Sequence, residues 1–224
     1  MLCFDFEGVR RLSKMVMRTD AEQHAVWMRT VCSISSGYAE LYRGNLDQAL
    51  QCFSQVRDPR ITPNFILHWR WRLHAHLGMT QARLHAGDVG DAHREADDAL
   101  ASALSAADPG MRALAWEMKS QVARSEKDLD LARVCIENAL ATLENFDNPV
   151  PGWQVHSTAS SLYADRGDAE MANRHRTRAK ELIMGIADSF QHDEPLRQSL
   201  LTAPPVRRLL SEGSEGLGVG CGLP

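Results

Sequence analysis

The sequence predicts an all-α protein built from helix hairpins stacked in series. The composition is rich in Ala, Leu, Arg, Glu and Gln, the residues that lose little entropy in a helix. The alternating β-branched pattern that indicates strands is hard to find. A short motif also recurs at intervals of 43, 40 and 40 residues, which is typical of helical repeat proteins. With 224 residues the chain is long enough to bury the core of such a stack.

The recurring motif is a turn dipeptide with an alanine four residues after its second member. Its copies read GNLDQA, GDVGDA, KDLDLA and GDAEMA, and their alanines are Ala49, Ala92, Ala132 and Ala172. Glycine at the end of a helix adopts the left-handed conformation that stops it, and the Asp or Asn that follows can cap the next helix. Each copy therefore predicts the tight turn of a helix hairpin.

A small or apolar residue follows each of these alanines by seven positions. These residues are Val56, Ala99, Ala139 and Ala179. Small residues at this spacing allow two antiparallel helices to approach closely. A partial fifth copy, with Asp5, Val9 and Val16 in the same relative positions, begins at the turn. We therefore interpret residues 1–18 as a truncated half-repeat and expect the chain to be a fragment of a longer protein; the alternative is a purpose-built half-repeat cap.

The remaining signals place the helices in order along the chain. After a first helix over about 6–18, we predict long first helices over 20–43 and 63–86. Asp108 and Asn148, each followed by proline, predict the starts of the next two first helices, because a capping side chain before proline is typical of a helix N-terminus.

The C-terminal region predicts a cap over the last hairpin. A helix over 169–190 is followed by two short helices that begin near Pro195 and Pro205. We expect them to cover the hairpin with Leu196, Leu200, Val206 and Leu209. The helical stack then spans 19–210, and the Gly-rich tail 211–224 lacks an apolar face and is predicted to be disordered.

One run of residues carries a resemblance to a known family. This run is Ser160, Tyr163, Gly167-Asp168, Ala172 and Ala179, and it resembles a tetratricopeptide repeat. The resemblance implies a right-handed solenoid of antiparallel helix pairs whose first helices line a concave groove. Repeats of about 40 residues are longer than the usual ~34. This length, with the ending ELIMGIADSFQHDEPLRQSLLTAPPVRRLL, resembles the C-terminal repeat region of multidomain bacterial signalling ATPases that carry cyclase, kinase or DNA-binding modules.

The groove that the resemblance implies supplies the candidate binding residues. Matching outward positions of the first helices are Tyr38, Gln81, Gln121 and Ser161. One helical turn earlier stand Ile34, Leu77, Glu117 and Ser157. An aromatic and amide lining suits an extended or helical peptide. The Lys and Asn pattern with which chaperone-binding repeats hold a C-terminal carboxylate is absent from the sequence.

Other chemistry receives little support from the sequence. The histidines between 68 and 93 are predicted to be exposed surface side chains and not metal ligands, and His175 is predicted to be a packed, hydrogen-bonded imidazole. Trp69 and Trp71 interleave with arginines, but helical spacing places both on apolar stripes, which favours core packing over base stacking. The five cysteines lack the close spacing of a zinc or redox motif. No catalytic motif is recognisable, and we expect neither a cofactor nor a metal.

Net charge and hydropathy argue against nucleic-acid-binding and membrane functions. A net charge of −4 argues against a nucleic-acid partner. The sequence has no secretory signal and no apolar run of transmembrane length, so we expect a cytoplasmic protein without membrane contact. The predicted function is a non-catalytic scaffold or sensor module of a bacterial signalling protein that binds a protein or peptide in the groove. The alternative is a stand-alone receptor for a short peptide or small ligand. The oligomeric state stays open.

Overall fold

The computed structural model describes residues 5–17, 25–58, 68–146 and 148–211. These residues form eleven helices and no strand, so the predicted all-α class is confirmed. The helices are α1 (Phe6–Met17), α2 (Ala25–Tyr42), α3 (Leu46–Arg57), α4 (His68–Ala86), α5 (Val89–Leu104), α6 (Pro109–Ser125), α7 (Leu129–Leu143), α8 (Pro149–Asp165), α9 (Ala169–Asp188), α10 (Glu194–Thr202) and α11 (Pro204–Ser211). Within the described part of the chain, none of them is long and apolar enough to cross a membrane.

Consecutive helices pack against each other throughout the series from α1 to α9. The most extensive contacts lie within the pairs α2–α3, α4–α5, α6–α7 and α8–α9, which we call hairpins 1 to 4. The first helix of each hairpin also contacts the first helix of the next hairpin. The helices α2, α4, α6 and α8 therefore form a continuous layer, which we call the first-helix layer.

All four hairpins turn through the same backbone geometry. The backbone angle φ is 82° at Gly44, 78° at Gly87, 66° at Lys127 and 80° at Gly167. In each turn the next residue donates its N–H to the carbonyl five residues earlier, at 2.9 Å. This is the Schellman arrangement that ends a helix with a left-handed residue. The predicted turns are confirmed, including the one in which lysine replaces glycine.

Aspartates cap most of the helices whose starts the sequence predicts by an Asp or Asn. Asp88, Asp128 and Asp168 each accept the N–H of the residue three positions ahead, at 3.3, 2.9 and 3.0 Å. Asp108 caps α6 in the same way at 3.0 Å. The two predicted asparagine caps, Asn45 and Asn148, make no side-chain cap bond. At Asn45 the amide donates to the Glu40 carboxylate at 2.7 Å, which uses the side chain in another contact.

The small residues of the motif form the centre of each hairpin. All four motif alanines and all four residues seven positions later are at most 2% exposed. Phe53 in hairpin 1 is fully buried, and its ring takes the space that two glycines leave open. A Cβ atom would lie 2.5 Å from the ring at Gly37 and 2.4 Å from it at Gly78. Glycine at these positions therefore allows one aromatic ring to pack between α2, α3 and α4.

The short C-terminal helices α10 and α11 pack on α9. Leu200, Val206 and Leu209 are at most 3% exposed and join the apolar cluster of Trp153 and Ile183. We call this the C-terminal cluster. The predicted cover is thus present, although Leu196 is only half-buried. Ser211, which the sequence placed in a disordered tail, is the last residue of α11, and 212–224 lie outside the described residues.

One other prediction lies outside the described residues, and one differs from the structure. Helix α4 is described from His68, so the predicted start at 63 lies outside the described residues. Trp71 is half-buried and packs on the core of hairpin 1, as predicted. The prediction that Trp69 packs in the core was wrong, because its side chain is 42% exposed. It lies at the open end of hairpin 2, where the last residue of α5, Leu104, is 51% exposed as well.

Candidate functional site: the first-helix layer

The candidate binding residues all lie on helices of the first-helix layer. Tyr38 is on α2, Leu77 and Gln81 are on α4, Glu117 and Gln121 are on α6, and Ser157 and Ser161 are on α8. They occupy equivalent positions of their hairpins, 40 or 43 residues apart. The structure therefore brings them to one layer, but it gives them unequal exposure.

Tyr38 ties two helices of the layer together. Its hydroxyl donates to the backbone carbonyl of His74 at 3.2 Å, across from α2 to α4. Its ring meets Phe53 edge-on, with centroids 5.1 Å apart and an interplanar angle of 75°. Burial raises the pKa of the Tyr38 hydroxyl far above its usual value. The side chain is half-buried, so one part of it serves packing and only the remainder is open to a partner.

Leu77, Glu117 and Ile34 lie in the interior and not on an open surface. Leu77 is 3% exposed within an apolar cluster that includes Met111 and Met118, and Ile34 is fully buried. Glu117 is also 3% exposed. The expectation that these positions face a groove is corrected here: one helical turn before the outward position, successive first helices are already in contact.

Glu117 is a buried carboxyl group with two polar partners. The Thr158 hydroxyl of α8 and the Gln121 amide of α6 both donate to its Oε1 atom. Burial raises the pKa of Glu117, and the two hydrogen bonds act in the opposite direction. Thr158 was not among the candidates from the sequence, although its hydroxyl joins two helices of the layer.

The accessible part of the layer consists of small polar side chains. Gln81, Gln121, Ser157 and Ser161 are all half-buried. Ser161 donates to the carbonyl of Ser157 in its own helix at 3.2 Å, so it adds little to tertiary packing. The Gln81 side chain makes no hydrogen bond with any residue that the structure describes, so its amide offers both donors and an acceptor to a partner.

The C-terminal helices reach part of this layer from the other end of the chain. Tyr42, the last residue of α2, packs against the C-terminal cluster. Burial, together with the Glu117 carboxylate, raises the pKa of Tyr42 to about 12. Burial, and to a smaller extent the charge of Arg208 on α11, lowers the pKa of His85 at the end of α4. The chain therefore covers part of its own first-helix layer, which the sequence did not predict.

The histidines of hairpin 2 are less exposed than predicted. His76 is 4% exposed, and its Nδ1 atom lies 2.8 Å from the Glu95 carboxylate. Burial, with the charge of Arg70, lowers the pKa of His74 to about 4. Among the histidines of this stretch whose burial the structure describes, only His85 is exposed as predicted; His93 is half-buried, and its Nδ1 atom lies 2.9 Å from the Glu126 carboxylate. The sequence signal that was missed is the 19-residue separation between His76 and Glu95, which places them opposite each other in a hairpin.

One group of metal-binding residue types is close together within the described ranges. It consists of His76, Glu95 and Asp98. Arg57 of the preceding hairpin donates one guanidinium nitrogen to both Glu95 oxygens, at 2.7 and 2.9 Å. A cation there would compete with this guanidinium for the same carboxylate, so the donor set favours a buried ion pair.

The sequence matches no protein-family model and no curated protein.

Proposed function

We propose that this chain is a non-catalytic interaction module that holds a peptide segment of a partner protein on its first-helix layer. The supporting observation is the alignment of accessible polar side chains, Gln81, Gln121 and Ser161, at equivalent positions of successive hairpins. A regular series of amide and hydroxyl groups suits the backbone of an extended peptide, which repeats its own donors and acceptors.

The four identical turns and buried small residues support a tetratricopeptide-like, right-handed solenoid as the architecture of this module. In such a solenoid the first-helix layer is the concave surface. The resemblance in the repeats and the C-terminal run extends the proposal to a scaffold or sensor arm of a bacterial signalling protein of the ATPase type.

Selection of peptides from a random displayed library on the immobilised protein tests the binding function. We expect enriched peptides whose affinity falls about tenfold in Gln81→Ala, which corresponds to the loss of about 1.4 kcal/mol. Gln51→Ala is the matched control, because Gln51 is an exposed glutamine on α3, outside the layer. Enriched peptides that bind both variants and the unchanged protein equally would exclude the first-helix layer as the site.

A stand-alone receptor for a small ligand is the second candidate, and Tyr42 favours it. Its contact with the C-terminal cluster encloses one end of the layer, as a receptor that closes around a small ligand requires. A thermal-shift screen with di- and tripeptides separates the two candidates. A ligand at 100 times its Kd adds about 2.7 kcal/mol to the free energy of unfolding. Stabilisation by short peptides without enrichment of longer ones would favour the receptor.

A further inference from the structure

Hairpins 2 and 4 each contain a pair of contacting polar side chains at corresponding positions, but only the pair in hairpin 2 includes a carboxylate. Residues that correspond in these hairpins are 80 positions apart in the sequence. His76 and Glu95 of hairpin 2 thus correspond to His156 and His175 of hairpin 4, and the two members of each pair contact each other. A carboxylate of hairpin 2 is therefore replaced by an imidazole in hairpin 4.

The residues around these pairs also differ in charge between the two hairpins. Arg57, which binds Glu95, belongs to hairpin 1 and lies eight residues after the motif alanine Ala49. The residue eight positions after the motif alanine of hairpin 3, Ala132, is Leu140, so Leu140 is the counterpart of Arg57 beside hairpin 4. Two acidic residues of α5 correspond to residues of α9 without negative charge: Asp91 to Met171 and Asp98 to Arg178. In hairpin 2 the chain supplies its own carboxylates, whereas in hairpin 4 those positions carry none.

A surface cleft is present where the carboxylates are missing. It lies between α7, α8 and α9 and has a volume of about 680 Å³. Its wall includes Leu140, His156, Tyr163, Arg174, His175 and Arg178. We call it the hairpin-4 cleft. Its volume lies in the range of about 300–1,000 Å³ that is typical of small-molecule sites.

The two histidines are held as a neutral pair on one wall of the cleft. Their Nδ1 atoms are 2.9 Å apart, so one ring donates its N–H and the other accepts. The His175 ring stacks on Tyr163 with an interplanar angle of 4° and centroids 5.4 Å apart. His175 is 8% exposed, and its buried Nε2 atom has no hydrogen-bond partner among the described residues. Leaving such an atom unpaired costs about 1–3 kcal/mol, which a ligand that bonds it would recover.

Two arginines line the same cleft together with one acidic residue, Glu181, and the arginine charges disfavour a metal ion. Arg178 is paired with Glu181 at 3.0 Å. The Arg174 side chain makes no hydrogen bond or ion pair with any residue that the structure describes, so its guanidinium is available to a ligand. The 2.9 Å between the two Nδ1 atoms is a hydrogen-bond distance and leaves no room for a cation between them.

We propose that the hairpin-4 cleft binds a small organic oxyanion, a carboxylate or a phosphate carried on a planar ring. In the cleft the anion makes the contacts with a histidine and an arginine that the Glu95 carboxylate makes in hairpin 2. Arg174 and the histidine pair donate to its oxygens, and the stacked Tyr163 and His175 rings with Leu140 form the wall for its ring. This site shares only α8 with the first-helix layer, and it does not depend on the function proposed for that layer.

Binding of an anion changes the balance of charge around the histidine pair. In the free protein, burial is the main cause that lowers the pKa of His156 to about 4, with contributions from His175 and Arg178, while Glu181 raises it. Burial and Arg174 also lower the pKa of His175. On α7, the ion pair of Arg133 and Glu137 faces Tyr163. A bound anion opposes the arginine charges and therefore raises the pKa of both imidazoles, which favours proton uptake.

Titration of the isotope-labelled protein with phenyl phosphate, benzoate and neutral benzamide, followed by imidazole NMR signals at pH 6.5, tests the site. We expect saturable shifts of the His156 and His175 signals with at least one of the two anions, and none with benzamide. Comparison of the two anions, with inorganic phosphate as a further probe, distinguishes a phosphate site from a carboxylate site. Equal shifts with benzamide, or no saturation by any anion, would overturn the proposal.

Two arginines at corresponding positions provide a matched control. Arg174→Gln is expected to weaken binding of the anion about tenfold, because one charge-assisted hydrogen bond is lost. Arg94→Gln alters the corresponding residue of hairpin 2, which pairs with Asp91, and is expected to leave the affinity unchanged. Equal effects of the two changes would mean that the anion responds to overall charge and not to the cleft.

A transplanted ion pair tests whether a carboxylate of the chain itself can take the place of the anion. The double change His175→Glu with Leu140→Arg introduces the ion pair that Arg57 and Glu95 form at the corresponding positions, and it is expected to abolish binding. Circular dichroism and the melting temperature report whether the double variant is folded. If it does not fold, Arg174→Gln, which alters an exposed side chain, still decides the question. A folded double variant that binds phenyl phosphate as before would contradict the proposal.

Discussion

Hairpins 2 and 4 share a backbone and differ in how their polar interiors are satisfied. Both turn at a glycine with φ near 80° and both bury two alanines seven residues apart. Hairpin 2 encloses a carboxylate with a histidine and an arginine, and hairpin 4 encloses two neutral imidazoles. The turn and the small residues therefore define the hairpin, while the polar positions vary without changing the backbone.

The largest expected effect concerns the buried carboxylate of hairpin 2. Glu95→Gln is expected to lower the free energy of unfolding by about 2–3 kcal/mol, because it leaves Arg57 without its counter-charge. His175→Gln, at the corresponding position of hairpin 4, is expected to cost less than about 1 kcal/mol, because no charge is left unpaired. Urea unfolding at pH 7 measures both. Losses of equal size would show that the two interiors are energetically alike.

The difference between the unchanged protein and Glu95→Gln is also expected to depend on pH. Burial alone would raise the pKa of Glu95, but the His76 hydrogen bond and the Arg57 charge lower it below its usual 4.5. The ionised carboxylate therefore stabilises the fold above pH 4.5, and this contribution is lost as the pH falls through the lowered pKa. Unfolding measured between pH 7 and pH 3 should show the two curves converging in acid. A constant difference would contradict the assignment.

The second expected effect concerns the close approach around Phe53. Gly78→Ala is expected to destabilise the protein by about 1–3 kcal/mol, because its Cβ atom would overlap a fully buried ring. Hairpin 4 has Thr158 at the corresponding position and no aromatic ring to accommodate. Gly185→Ala is the control, since a Cβ there meets nothing within 4 Å. Its higher helix propensity should stabilise by about 0.5–1 kcal/mol in the same thermal unfolding experiment. Stabilisation by both changes would mean that Phe53 can move.

The smallest expected effect concerns the turn of hairpin 3, where Lys127 has a φ of 66°. A left-handed conformation costs a non-glycine residue roughly 1–2 kcal/mol, part of which glycine loses again through its more flexible unfolded state. Lys127→Gly is therefore expected to raise the free energy of unfolding by about 0.5–1 kcal/mol, measured by urea titration. Gly167→Lys, the reverse change in hairpin 4, should lower it by a similar amount. If both changes destabilise, the lysine side chain has a stabilising role of its own.

The turns and the small-residue core were predictable because their causes are local. A glycine followed by an aspartate stops one helix and caps the next within a few residues, and Ala92 with Ala99 repeats one face of a helix. Ser160, part of the sequence resemblance, proves to be a hairpin contact as well: its buried hydroxyl donates to the carbonyl of Ala172 at 2.8 Å. Each of these features needs only the spacing within one repeat.

The exposure of the candidate site was not predictable, because it depends on three or more helices at once. The Glu117 carboxyl is buried through contacts between first helices, where Thr158 meets it from the next hairpin. The Glu95 carboxylate that contacts His76 is also bound by Arg57, which belongs to the preceding hairpin. The packing of Tyr42 depends on the C-terminal cluster, which α10 and α11 help to form after the repeats end. Spacing within one repeat contains no information about these partners.

The contact of Tyr42 with the C-terminal cluster has a consequence for cooperativity. In a linear stack each hairpin touches only its neighbours, so the ends can unravel independently while the middle stays folded. Here a residue of the first hairpin packs against the C-terminal cluster, to which α8, α9, α10 and α11 all contribute. Loosening α10 and α11 therefore weakens a cluster that also packs on the end of α2, more than 150 residues earlier in the chain. The two ends of the helical series are coupled, so that local unfolding at either end lowers the stability of the other.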